Sequence, residues 1–161
     1  MISTKMTGAI NDQIKAELES AYLYLSMSAY FEDKNLKGMA HWMKVQANEE
    51  VEHAEKFMEY LYERGARVVL EALAKQATDF PAPLDVFKTV LKHEQHVTDR
   101  INKLMSLAKE EKDYASEAML TWFINEQVEE EASADEIVRK LELVGDSGNS
   151  TYLLDKELAQ R

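Results

Sequence analysis

Apolar residues recur along this chain at alternating spacings of three and four, over four long stretches. The first stripe, polar members included, is Ile10, Ile14, Glu17, Ala21, Tyr24, Ser28 and Phe31; the second is Met39, Met43, Gln46, Glu50, His53 and Phe57. The third is Phe87, Val90, Glu94, Val97, Ile101 and Leu104, and the fourth is Leu120, Phe123, Gln127, Glu130, Ala134, Ile137 and Leu141. Such spacing turns one face of an α-helix toward a common side and suits rods packed with a left-handed twist. Gly38, Gly65, Pro81, Pro83, Gly145 and Gly148 punctuate the stretches. The pattern predicts helices over about residues 3–33, 36–65, 83–109 and 112–144, with a short fifth at about 150–159, over TYLLDKELA. Rods of this length exceed the usual globular helix and belong in an elongated bundle.

The first and third connections span only a few residues, so each flanking pair is expected to form an antiparallel hairpin. The middle segment, ARVVLEALAKQATDF, could reach up to ~55 Å if extended, whereas a 28-residue helix is ~42 Å long. It can run the length of the bundle. The expected fold is therefore all-α: a four-helix bundle, up-down-down-up, with a long crossover between the second and third helices. Residues 1–161 would form one domain, with the bundle over 3–144.

Each stripe is interrupted near its middle by polar residues: Glu17 on the first, Gln46, Glu50 and His53 on the second, Glu94 on the third, Gln127 and Glu130 on the fourth. At 1.5 Å per residue, and measured from the end holding the first turn, Glu17 lies ~25 Å down, Glu50 ~21 Å, Glu94 ~16 Å and Glu130 ~20 Å. The four acids fall in one layer. No stripe position holds Lys or Arg. Burying unpaired ions costs several kcal/mol each, while a whole domain is stable by only about 5–15 kcal/mol. Either these acids are protonated or cations sit among them. Glu50 and His53, three apart on one helix face, deliver an oxygen and a nitrogen to the same point.

Composition narrows the choice. The chain has 30 acidic and 19 basic residues, a formal charge of −11, which disfavours nucleic acid and anionic membrane surfaces and favours metal cations. With no Cys, a metal must take oxygen and imidazole ligands. No stretch approaches the ~18 apolar residues needed to cross a bilayer, and a cytoplasmic protein is expected. The eight Met suit gap-filling in a core, and no haem is expected. His41, His93 and His96 are expected at the surface or in packing. Glu49, Glu126 and Glu129 read from spacing alone as a solvated helix face.

Four stretches, INDQIKAELESAYLYLSMSAYF, GMAHWMKVQANEEVEHAEKFMEYLYERG, LKHEQHVTDRI and WFINEQVEEE, resemble those of bacterial non-haem ferritins, and the resemblance spans essentially the whole chain. It implies a hollow cage of 24 identical subunits, each with a short fifth helix, that oxidises Fe2+ with dioxygen or peroxide and stores a ferric oxide mineral. By that resemblance Glu17, Glu50, His53, Glu94 and Glu130 form a di-iron ferroxidase centre, with Gln127 as an additional polar group. Glu50 would bridge the two irons; Glu17 and His53 would complete one position, Glu94 and Glu130 the other. Tyr24 matches the family's nearby tyrosine, and Glu49, Glu126 and Glu129 match a third, inward iron site. Gln127 and Glu130 depart from a second Glu-x-x-His motif, which points to the non-haem branch. Where many relatives line a three-fold channel with two acids a turn apart, this chain has Glu117 and then Leu120, so the route by which iron arrives is left open.

Overall fold

Most of the helices begin where the sequence supplies a device for starting them. Ser3 is extended, and its hydroxyl accepts the Met6 N–H at 2.9 Å to start α1 (Thr4–Asp33). Asp113 does the same for α4 (Tyr114–Val144), accepting from the Ser116 N–H while it pairs with Arg64 at 3.1 Å. Pro83 opens α3 (Pro83–Glu111), where a missing N–H goes unnoticed. Ser147 caps α5 (Gly148–Leu158). Leu36, ahead of α2 (Lys37–Glu63), gives no side-chain cap. That end is capped across space by Asp155 of α5, whose Oδ1 accepts the Met39 N–H at 2.8 Å.

The structure is a computed structural model that describes residues 1–145 and 147–161. Among the described residues the five helices are the only regular elements, and every end lies within a turn of its expected position. No described helix is long and apolar enough to cross a membrane.

Side-chain pairs set the directions. Tyr24 meets Glu94 while Ser3 meets Glu111, so α1 and α3 run antiparallel. Gln46 meets Glu130 while Tyr60 meets Ser116, so α2 and α4 do too. With a tight turn joining α1 to α2, the order is up, down, down, up. The crossover, residues 64–82, follows α1 and directs several backbone groups to its side chains. Asn11 bonds both the Arg67 carbonyl at 3.0 Å and the Val69 N–H at 2.7 Å. Further along, Glu19 accepts the Ala74 N–H at 3.0 Å, Ser26 donates to the Ala77 carbonyl at 2.6 Å, and Phe80 sets its ring against Tyr30.

The apolar stripes meet in two separate clusters. One, around Phe31, Met39, Trp42, Phe87 and Leu141, also receives Leu154 and Leu158 of α5. The other surrounds Ile10, Phe57, Ile101, Leu120 and Phe123. The interrupting polar residues lie between them.

Gly38 lets α5 dock. A Cβ there would sit 1.6 Å from the Asp155 carbonyl oxygen, a fixed backbone atom. Gly38→Ala must therefore push α5 away and loosen the cap that Asp155 provides. The expected loss is about 1–3 kcal/mol, visible as a lowered thermal midpoint and as faster hydrogen exchange at the Met39 amide.

Candidate metal centre

The layer is assembled from all four long helices. Glu17, Glu50, Glu94 and Glu130 are at most 5% exposed, and His53 is 4% exposed. Among the described residues no Lys or Arg pairs with any of these four carboxylates. An oxygen of Glu17, an oxygen of Glu50 and a ring nitrogen of His53 lie within 4.8 Å of one another. Ligand bonds of about 2.0–2.2 Å place neighbouring donors at such separations. His53 Nδ1 stands 3.7 Å from Glu50 Oε2, and His53 Nε2 stands 4.0 Å from Glu126 Oε1. On that second side His53, Glu126 and Glu130 form another group within 4.8 Å.

Hydrogen bonds hold part of each carboxylate. Gln13 Nε2 donates to Glu17 Oε1 at 2.9 Å, and Gln46 Nε2 donates to Glu130 Oε2 at 2.7 Å. The Tyr24 hydroxyl donates to Glu94 Oε1. Gln127 Nε2 reaches Glu94 Oε2 and the Glu94 carbonyl, both at 3.2 Å. Glu17 Oε2 and Glu50 Oε2 are buried with no hydrogen-bond partner. Buried polar atoms are nearly always satisfied, so two orphaned oxygens beside an imidazole are what a bound cation would satisfy.

Proton affinity reflects the same crowding. Burial, then the Glu50 charge, push Glu17 up from 4.5 to about 8. Burial and then Glu94 push Glu130 up from 4.5 to about 7. Glu50 and Glu94 are also raised, burial being the first cause for both. Burial, and then the Glu94 charge, raise the Tyr24 phenol well above its ordinary value. Without metal this layer takes up protons; a divalent cation would compete for the same oxygens.

Not every residue singled out in the sequence joins these groups. Glu49 is half-buried and pairs with Arg161 at 2.5 Å, and Glu129 is exposed and belongs to neither group. Of that trio, Glu126 alone approaches His53. His93 lies half-buried, exchanges a hydrogen bond with Ser20 at 2.8 Å and meets the Tyr24 ring edge-on. Burial lowers His93 to about 4, which keeps it neutral. His41 and His96 are exposed. Met27, Met39 and Met43 are fully buried in the core. Leu120 is also fully buried. It packs in the core cluster with Phe57 and Phe123.

Three contributors escaped the sequence reading: Gln13, Arg100, which donates to Gln13 at 2.9 Å, and Arg161. Gln13 lies four residues before Glu17, a spacing at which helical side chains touch, so its signal was present. Arg161, which reaches Gln46 and Glu49, lies more than a hundred residues away and had none.

Hard oxygen donors with a single imidazole suit ions such as Fe or Mn better than soft metals. A family model described as a Ferritin-like domain matches residues 7–144. The chain is 44% identical to the bacterial non-heme ferritin of Bacteroides fragilis over 161 residues, covering 100% of both chains. It is 38% identical to that of Staphylococcus aureus, over 100% of this chain and 97% of the relative. Among solved structures it superposes with a TM-score of 0.99 on a protein of the hyperthermophilic archaeon Archaeoglobus fulgidus, described as a novel open pore ferritin. Identity there is 48%, over 100% of this chain and 99% of that one.

Proposed function

This chain belongs to the ferritin family, and on that premise we propose that it takes up Fe2+ as a pair in the mid-bundle layer, oxidises it and stores the product as a ferric oxide mineral inside a closed cage. The observation that carries the reading is the orphaned pair of buried oxygens, on Glu17 and Glu50, beside His53 in a layer with no paired cationic side chain. Residues 1–161 act as one unit, and 24 copies form the cage.

The roles are those the resemblance to ferritins implies. Glu50, in one tight group with Glu17 and His53, is the shared ligand. Glu17 and His53 complete one iron position; Glu94 and Glu130 complete the other. Gln127 steadies Glu94 through its Nε2, and Tyr24 holds the opposite oxygen. Each Fe2+ gives one electron to dioxygen or peroxide. The carboxylates favour the more highly charged ferric product, so the layer's own charge drives the step forward. Protons held by Glu17 and Glu130 leave as iron binds. Glu126, next to His53, begins a path outward from the layer, and Glu49 and Glu129 continue it as a third site through which iron passes toward the cavity.

An oxygen pulse after anaerobic loading tests the chemistry: the expected result is a fast phase that saturates at two Fe2+ per subunit. A rate no greater than that of Fe2+ in buffer would leave only a passive container. A sizing column tests the cage. Elution at several hundred kilodaltons is expected, whereas a species of one or two 18.5 kDa subunits would point to a stand-alone di-metal oxidase.

A further inference from the structure

Two of the layer's carboxylates are reached from outside by the same three-part chain of hydrogen bonds. Arg100 of α3 donates its Nε–H to Gln13 Oε1 at 2.9 Å, and Gln13 Nε2 donates to Glu17 Oε1 at 2.9 Å. Arg161, beyond α5, donates from Nη1 to Gln46 Oε1 at 2.7 Å, and Gln46 Nε2 donates to Glu130 Oε2 at 2.7 Å. Gln13 is 1% exposed and Gln46 0% exposed, so neither amide can turn to water for a substitute partner.

The chemistry of the groups fixes the direction of each chain. A guanidinium carries donors and no acceptor, so it must meet the carbonyl end of the amide. The NH2 end is then left to face the carboxylate. A carboxylamide turned the other way would set one oxygen against another, and both the arginine and the glutamate would lose a partner. Each arginine is itself anchored. Arg100 also donates to the Asp12 carbonyl at 2.9 Å. Arg161 lies 4.5 Å over the Trp42 ring and donates to Glu49 at 2.5 Å.

We propose that Arg100 and Arg161 are positioning residues for the metal centre, each locking one buried glutamine amide so that one oxygen of Glu17 or Glu130 is held and the other is presented to a cation. On Glu17 the presented oxygen is the atom that has no partner in the protein. The two chains serve opposite halves of the centre, since Glu17 belongs to the group with Glu50 and Glu130 to the group with Glu126. The inference rests on the metal-centre reading above and extends it to residues that touch no metal. Partners of this kind are typically worth about 10–100-fold in metal affinity.

Anaerobic calorimetric titration of the full, assembled protein with Co2+ tests it, with d–d absorption reporting the coordination and no oxidation required. Arg100→Ala and Gln13→Met are each expected to weaken one of the two Co2+ equivalents about tenfold. Arg161→Ala and Gln46→Met should weaken the other equivalent. Arg100→Lys and Arg161→Lys should recover part of the loss, with helicity and thermal midpoint kept. The proposal is overturned if both arginine-to-alanine variants bind both equivalents within about twofold of the native chain, well short of the roughly tenfold low end of such effects. It is equally overturned if every variant weakens both equivalents together, in step with a falling thermal midpoint. A native chain that binds no Co2+ pair would remove the metal-centre reading and the relays with it, and the native control tells that result from the others.

Discussion

Glu50→Ala is expected to abolish paired binding of Fe2+ and to slow its oxidation by more than about 100-fold, beyond what loss of an outer partner usually costs. The size of the effect comes from where Glu50 stands. Its Oε2 has no protein partner, lies 3.7 Å from His53 Nδ1, and belongs to the same tight group as Glu17. Its charge is the second cause of the raised Glu17 affinity for protons, and Glu94 is the second cause of its own. One side chain therefore senses both halves of the layer. On the proposed roles, removing it takes a ligand from both iron positions, while removing Glu94 or Glu130 takes one from a single position. The fold should survive, since alanine is a good helix former and the change deletes a buried acid. Anaerobic Fe2+ titration followed by an oxygen pulse reads both quantities. Retention of the fast phase in a folded variant would refute the shared-ligand role.

Metal-free protein is expected to lose stability as pH rises from about 4.5 to about 8. Glu17 binds its proton more tightly folded, at about 8, than at the ordinary 4.5, and Glu130 does so at about 7. In that window the folded state holds more protons than the unfolded one, so each step up in pH favours unfolding. The contribution is complete below 4.5, declines through 7 and 8, and is gone above. Glu17→Gln removes one of the four raised carboxylates. It should flatten the slope and raise metal-free stability at alkaline pH by an amount on the order of a few kcal/mol, read as a higher thermal midpoint. Thermal melts of chelator-treated native and variant protein across this range give the comparison. An unchanged slope in the variant would mean that Glu17 meets water or a counter-charge after all. Adding divalent cations should reverse the trend in the native chain and do so less in the variant, which keeps the group of His53, Glu126 and Glu130, because bound ions replace the protons.

The stripes were legible because their period ties sequence directly to burial. Each stripe residue is buried except Ser28, which is half-buried and donates to the Ala40 carbonyl at 2.8 Å. The layer was legible for the same reason, since Glu17, Glu50, Glu94 and Glu130 occupy positions that the period reserves for apolar side chains. What stayed hidden depends on contacts between distant parts of the chain. Nothing in the local pattern shows that Gly38 must be bare to admit α5, or that Asp155 caps α2 in place of Leu36. Arg161 is invisible for that reason too. Glu126 and Glu129 sit in one acidic run, NEQVEEE, yet helical geometry sends Glu126 toward His53 and leaves Glu129 in solvent.

The hydrophobic interior is divided, one oily half gathered around Phe31 and Phe87, the other around Phe57 and Phe123, with repelling or protonated acids between. Halves joined this way can loosen independently, as separate cooperative units. Cations arriving in the gap act as rivets between them. The subunit's rigidity thus follows the occupancy of that gap: the rod stiffens as ions enter it and slackens as they leave.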